Sequence, residues 1–189
     1  MLRHLPNALS LARLLAAPVL VGLALAHHEQ AFTILLIAAL ITDVLDGWIA
    51  RRFQAQSPLG AMLDSAGDVT TLLAAAIGIA VFQPDVWREH IVAIGLVLGG
   101  WLVECALAVI RYGRLSSFHT YASKAAGYAL GFFVAVLFAI GFLPSLFYIA
   151  VVLSLVSTFE ELLLLWRLPT WRADVRGLWW VSRAASNFE

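Results

Sequence analysis

Six runs of apolar residues, at 9–26, 31–50, 59–82, 91–110, 125–143 and 145–166, take up most of the chain. A helix rises about 1.5 Å per residue and the hydrocarbon core of a bilayer is about 30 Å thick, so about 20 apolar residues make one crossing. Backbone groups in lipid must be satisfied internally, which leaves helices as the spanning elements here. The connections are short: His27-His28-Glu29-Gln30 is polar, Gln83-Pro84-Asp85 breaks the third run, and Pro144 either separates the last two runs or opens the sixth helix. The fold expected is an all-α integral membrane protein with six transmembrane helices. Apolar residues make up 62% of the chain and charged ones 13%, against about 45–50% and about 25% in soluble domains. That composition excludes a disordered chain, a nucleic-acid binder with a basic face and a disulfide-stapled secreted domain. Cys105 is the single cysteine and reads as a small buried hydrophobe.

The formal net charge is zero, and the information lies in where the charges sit. With six crossings, Arg3, Arg13, Arg51, Arg52, Arg111, Arg114, Lys124, Arg167, Arg172, Arg176 and Arg183 fall on one side, and Arg88 alone on the other. Basic residues stay cytoplasmic, so both termini, the second–third loop and the fourth–fifth loop are expected in the cytoplasm, in the inner membrane of a bacterium. Arg3 and Ala24-Leu25-Ala26 also flank the first run as in a signal peptide. Residues 1–168 read as the membrane domain. Residues 169–189 read as a cytoplasmic amphipathic tail, with Trp171, Val175, Leu178 and Trp179 near helical spacing among Arg172, Arg176 and Arg183. An interfacial helix is expected there.

Ionisable residues inside spans are costly and mark functional sites. Asp43 and Asp46 lie near the end of the second run, Asp64 and Asp68 near the start of the third. Spacings of three and four put each pair on one helix face. The short 51–58 loop makes the two helices antiparallel neighbours, so the four carboxylates converge. Such a cluster calls for cations, and hard oxygen ligands suit magnesium, manganese or calcium. Two divalent ions nearly neutralise four aspartates, an arrangement used in phosphoryl transfer. Gly47 and Gly60 allow a ligand or helix close to the backbone. Arg51 stands one turn past Gly47, where a guanidinium can meet a phosphate or a base edge. A polar patch that only glues helices is the plainer alternative, but membrane glue is usually Ser, Thr, Asn or Gln.

Asp43-Val-Leu-Asp46-Gly47-Trp-Ile-Ala50-Arg51, eight residues, Gly60, three residues, Asp64, three residues and Asp68 resemble the signature of the CDP-alcohol phosphatidyltransferase family at all eight defining positions. The resemblance implies a six-helix membrane enzyme, usually a homodimer. It would transfer a phosphatidyl or similar group from a CDP-linked donor, such as CDP-diacylglycerol, to an alcohol, and release CMP. It implies that Asp43, Asp46, Asp64 and Asp68 hold two divalent ions, Mg2+ or Mn2+, and that Asp68 is also the base. It further implies that Gly47, Arg51 and Ser57 contact the CDP moiety, with Gly60 beside them. The opening Leu5-Pro6-Asn7-Ala8-Leu9-Ser10-Leu11-Ala12-Arg13 is similar to the family's first helix, where Asn7 approaches the nucleotide. That match favours an uncleaved N-terminus.

The acceptor is less legible. Arg111, Arg114 and Lys124 cluster in the fourth–fifth loop, on the side of the aspartates, and could hold the phosphate of glycerol 3-phosphate. Three plain cytoplasmic anchors are the alternative. The opening most resembles phosphatidylglycerophosphate and cardiolipin synthases, yet Ser116-Ser117-Phe118-His119-Thr120-Tyr121-Ala122-Ser123-Lys124 replaces the Gly- and Lys-rich loop of the former. Phosphatidylglycerol, an inositol-type alcohol or another alcohol therefore stays open as acceptor. Glu104, Glu160 and Glu161 are further intramembrane acids without an assigned role. A cation-coupled transporter is the other class, but the chain is short and shows no internal repeat.

Overall fold

The computed structural model describes residues 5–52, 58–113, 118, 120–170, 175 and 177–179. All regular structure among them is helical: α1 Leu5–Leu25, α2 Glu29–Arg52, α3 Pro58–Phe82, α4 Pro84–Glu89, α5 Ile91–Tyr112, α6 Tyr121–Ala139 and α7 Pro144–Arg167. Six of these, all but α4, are long and apolar enough to cross a membrane. Their surfaces suit lipid. In α5, Val103, Leu107 and Ile110 are exposed while Glu104 is buried, the reverse of a water-facing helix.

Two compact units make up the chain: Met1–Glu89 with Leu137–Gly141, and His90–Val136 with Phe142–Glu189. In the first, α1 packs extensively on both α2 and α3, which touch each other far less. The short loop makes α2 and α3 neighbours, and they do touch, but each packs mainly on α1. Small side chains favour α1 as the central helix: Ala17 and Ala24 of α1 and Ala74, Ala75 and Ala76 of α3 are buried, and small residues let helices approach closely. α2 meets α3 closely at Gly78, where an added Cβ would overlap the Phe32 ring. The Phe32 ring also stands 5.3 Å from Phe82 and 5.1 Å from Phe138, centroid to centroid. α4 occupies what the sequence reading treated as a turn. Pro84 begins it, Asp85 lies in its first turn and Arg88 in its last, charges that suit the helix dipole.

In the second unit α5 packs on α7. Gly113 ends α5 at φ +67° and donates its N–H to Val109 O at 2.8 Å, a left-handed cap that glycine adopts without strain. The Tyr112 hydroxyl donates to Leu168 O at 2.7 Å. Ala108, Phe118, Leu164, Leu165, Leu168 and Val175 form a core there, with Tyr112, Leu162 and Leu178 against it. α6 starts and ends four residues earlier than the 125–143 run. Thr120 caps it, its Oγ1 accepting the Ser123 N–H at 3.0 Å. Gly141 at φ +126° and Pro144 at the start of α7 close the other end.

Of the expected interfacial tail, Val175 is buried and Leu178 packs on the α5–α7 core. The Leu178 N–H donates to Glu160 Oε1 at 3.0 Å. These two apolar residues therefore face protein. Trp171, Arg172, Arg176 and Arg183 lie outside the described residues.

Candidate active site

Asp46 sits in the penultimate turns of α2, Asp64 and Asp68 in the second and third turns of α3. Asp43, Asp64 and Asp68 each offer one carboxylate oxygen, and these oxygens lie within 4.8 Å of one another. At that spacing two ionised carboxylates repel by about 3–4 kcal/mol at an effective dielectric of about 20. Positive charge nearby offsets that repulsion, and three convergent hard oxygens can hold a divalent ion. Asp46 stands apart from this trio. Its side chain is 4% exposed, and its Oδ2 accepts a hydrogen bond from Ser10 Oγ at 3.1 Å.

Arg13, which the sequence counts among the basic residues on the side of the aspartates, lies inside the acidic cluster itself. Its side chain is 1% exposed. Nη1 pairs with Asp43 Oδ1. Nη2 donates to Asp64 Oδ1 at 2.8 Å and lies 3.3 Å from Asp68 Oδ1 and 3.8 Å from Asp46 Oδ2. Gly67 makes room for it, since a Cβ there would lie 2.8 Å from Arg13 Nε. Three residues that sequence reasoning passed over thus shape the site: Ser10, Arg13 and Gly67. A signal was present. Asn7, Ser10 and Arg13 recur every three residues and so share one face of a helix that is otherwise apolar.

Asn7 is half-buried on that face, and Gly47 and Gly60 are half-buried on α2 and α3. The Arg51 side chain, Ser57, Arg114 and His119 lie outside the described residues. Arg111 and Lys124 belong to the second unit. Arg111 Nη2 donates to Leu168 O at 3.2 Å, an interaction suited to a carbonyl just past the C-terminus of α7. Lys124 is exposed in the first turn of α6 rather than in a loop. Glu104 and Glu161 are buried in α5 and α7.

Comparison with known proteins agrees with this geometry. The family model described as CDP-alcohol phosphatidyltransferase matches residues 3–165, which include every residue of the carboxylate cluster. The chain is 31% identical over 118 residues to a cardiolipin synthase (CMP-forming)/mitochondrial hydrolase fusion protein of Schizosaccharomyces pombe, covering 62% of this chain and 19% of that protein. It is 30% identical over 130 residues to a CDP-diacylglycerol–glycerol-3-phosphate 3-phosphatidyltransferase of Rickettsia typhi, covering 62% and 71% respectively. It is 31% identical over 119 residues to a CDP-diacylglycerol–serine O-phosphatidyltransferase of Mycobacterium bovis, covering 62% and 38%. The matched stretch is thus a minor part of the yeast and mycobacterial proteins. No solved structure matches significantly. With a match over most of its length and the acidic cluster assembled, the chain belongs to the CDP-alcohol phosphatidyltransferase family.

Proposed function

We propose that the protein transfers a phosphatidyl group from a CDP-diacylglycerol-type donor to an alcohol, and releases CMP. The observation that carries this reading is the convergence of Asp43, Asp64 and Asp68 from two long apolar helices, in a chain that matches the family over residues 3–165. Bound divalent ions, Mg2+ or Mn2+, would neutralise charge on the donor's phosphates as the bond to CMP breaks. Asp43, Asp64 and Asp68 would hold them, with Asp46 beside that trio and tethered by Ser10.

Asp68 takes the acceptor's hydroxyl proton, the acceptor oxygen bonds to the phosphatidyl phosphorus, and CMP leaves with the electron pair of the broken P–O bond. An alcohol is a weak nucleophile at neutral pH, so a carboxylate base is useful. The Asp68 side chain is 51% exposed and that of Asp46 4%, which supports Asp68 as the carboxylate an acceptor can reach. Asn7, Gly47, Arg51, Ser57 and Gly60 are the donor-nucleotide residues in this reading. Residues 1–168 form its membrane domain and 169–189 a cytoplasmic tail, and the active unit is a homodimer. The carboxylates face the cytoplasm, where CMP departs while the acyl chains stay in the bilayer.

Glycerol 3-phosphate is the acceptor we favour. The likeness to the rickettsial glycerol-3-phosphate enzyme supports it, because the chain covers most of that protein. Serine is the second reading, supported by the mycobacterial relative. The deciding experiment incubates purified protein with CDP-diacylglycerol, Mg2+ and each acceptor in turn, with CMP and lipid products read by mass spectrometry. Phosphatidylglycerophosphate and CMP are expected, with both lost in EDTA and restored by Mg2+ or Mn2+. No CMP with any alcohol would remove the transferase reading.

A further inference from the structure

Arg13 is a permanent cation in a place where the reaction is expected to put exchangeable ones. Its guanidinium meets Asp43, Asp64 and Asp68, the same three side chains whose oxygens can converge on a metal ion. An arginine stays protonated in proteins, so this charge cannot be removed by proton loss. It is also fixed in place. The side chain is 1% exposed, the guanidinium lies so close to Gly67 that an added Cβ there would press on it, and α1 is held by Ser10 on Asp46. Its Nε finds no hydrogen-bond acceptor among the described residues, so the carboxylates, rather than a full set of bonds, keep it there.

We propose that Arg13 is a positioning residue with two opposed effects: it holds the carboxylates together in the absence of metal, and it lowers their affinity for divalent ions. The inference rests on the reading of the cluster as a metal site. Four ionised aspartates close together would drive α2 and α3 apart in a low-dielectric setting. One guanidinium bridging both helices offsets part of that repulsion, so the site can assemble before any ion arrives. The same charge, a few ångströms from an entering divalent ion, repels it and engages part of its ligand set. Binding then stays weak enough for ions to exchange with the departing nucleotide.

The two effects predict opposite signs, which a simple packing role does not. Thermal unfolding in EDTA and Mn2+ binding, read by the electron spin resonance of free Mn2+, are measured in a neutral detergent. Compared are wild type, Arg13→Gln and Arg13→Lys. Without metal, Arg13→Gln should melt lower by about 5 °C or more, yet bind Mn2+ tighter by about tenfold or more. Arg13→Lys keeps the charge without the planar fork and should fall between on both scales, which serves if the Gln variant does not fold. An unchanged melting temperature in EDTA, or Mn2+ binding that is unchanged or weaker in the variants, would overturn the proposal. Wild-type protein that binds no Mn2+ would sink the metal reading itself. Wild-type binding with no tightening in either variant would sink only the role of Arg13.

Discussion

The Ser10 hydroxyl donates to Asp46 Oδ2 at 3.1 Å, across 36 residues of sequence. This bond links α1 to the most buried carboxylate of the cluster. Without it Asp46 keeps the Arg13 guanidinium at 3.8 Å and loses a donor. A hydrogen bond to a charged group is worth about 1.5–3 kcal/mol. Ser10→Ala should therefore lower the melting temperature by about 3–10 °C, while Ser10→Thr, which keeps the hydroxyl, should stay near wild type. Calorimetry or fluorescence melting in detergent checks both.

Gly67 and Gly22 form a matched pair. A Cβ on Gly67 would press on Arg13 Nε at 2.8 Å, whereas one on Gly22 would meet nothing within 4 Å. Gly67→Ala should cut CMP release by about tenfold or more, because a small displacement of a positioned group is costly. Gly22→Ala should keep full activity and shift stability by no more than about 1 kcal/mol, in the favourable direction. Equal activity of the two variants would contradict the close fit around Arg13.

At Gly78 the neighbour is an aromatic ring rather than a charge. An added Cβ would overlap the Phe32 ring, and overpacking of this kind costs about 1–3 kcal/mol. Gly78→Ala should lower the melting temperature, and Phe32→Leu in the same chain should recover part of the loss. A double-mutant cycle measures the coupling, expected at about 0.5 kcal/mol or more. Metal dependence of the transferase should be the same in all these variants, since neither residue touches the carboxylates.

Asp68→Asn tests the proposed role of Asp68 as the base. The amide cannot take the acceptor's proton, so kcat should fall by about 10²–10⁴-fold, while the donor KM changes by less than about threefold. Steady-state CMP release measures both constants. A variant with unchanged kcat would leave Asp68 as a metal ligand only.

The basic residues predict orientation. In a Cys105→Ala background, His28→Cys should react with a membrane-impermeant maleimide added outside intact cells. Arg52→Cys should react only after permeabilisation. Reversed labelling would place the carboxylates on the outer face and overturn the proposed cytoplasmic donor site.

Much of the molecule was legible in its sequence. Spans depend on runs of apolar residues, a local property, and the runs correspond to α1, α2, α3, α5, α6 and α7. The shift of α6 shows the limit. Thr120 caps it through a side-chain hydrogen bond, and apolarity alone does not mark a cap. The Asp43, Asp46, Asp64 and Asp68 spacing was equally legible, because helical periodicity puts each pair on one face whatever surrounds it. What the sequence could not rank was the value of one charge among twelve. Arg13 has the same chemistry as Arg52, yet one is buried among carboxylates and the other is exposed at the end of α2. Only the tertiary structure decides between them. An arginine's role depends on which dipoles and charges lie within a few ångströms, and those come from helices 30 to 55 residues away along the chain. The same holds for Asp46, set apart by a serine on another helix, and for Val175 and Leu178, turned from lipid to protein by the packing of α5 on α7.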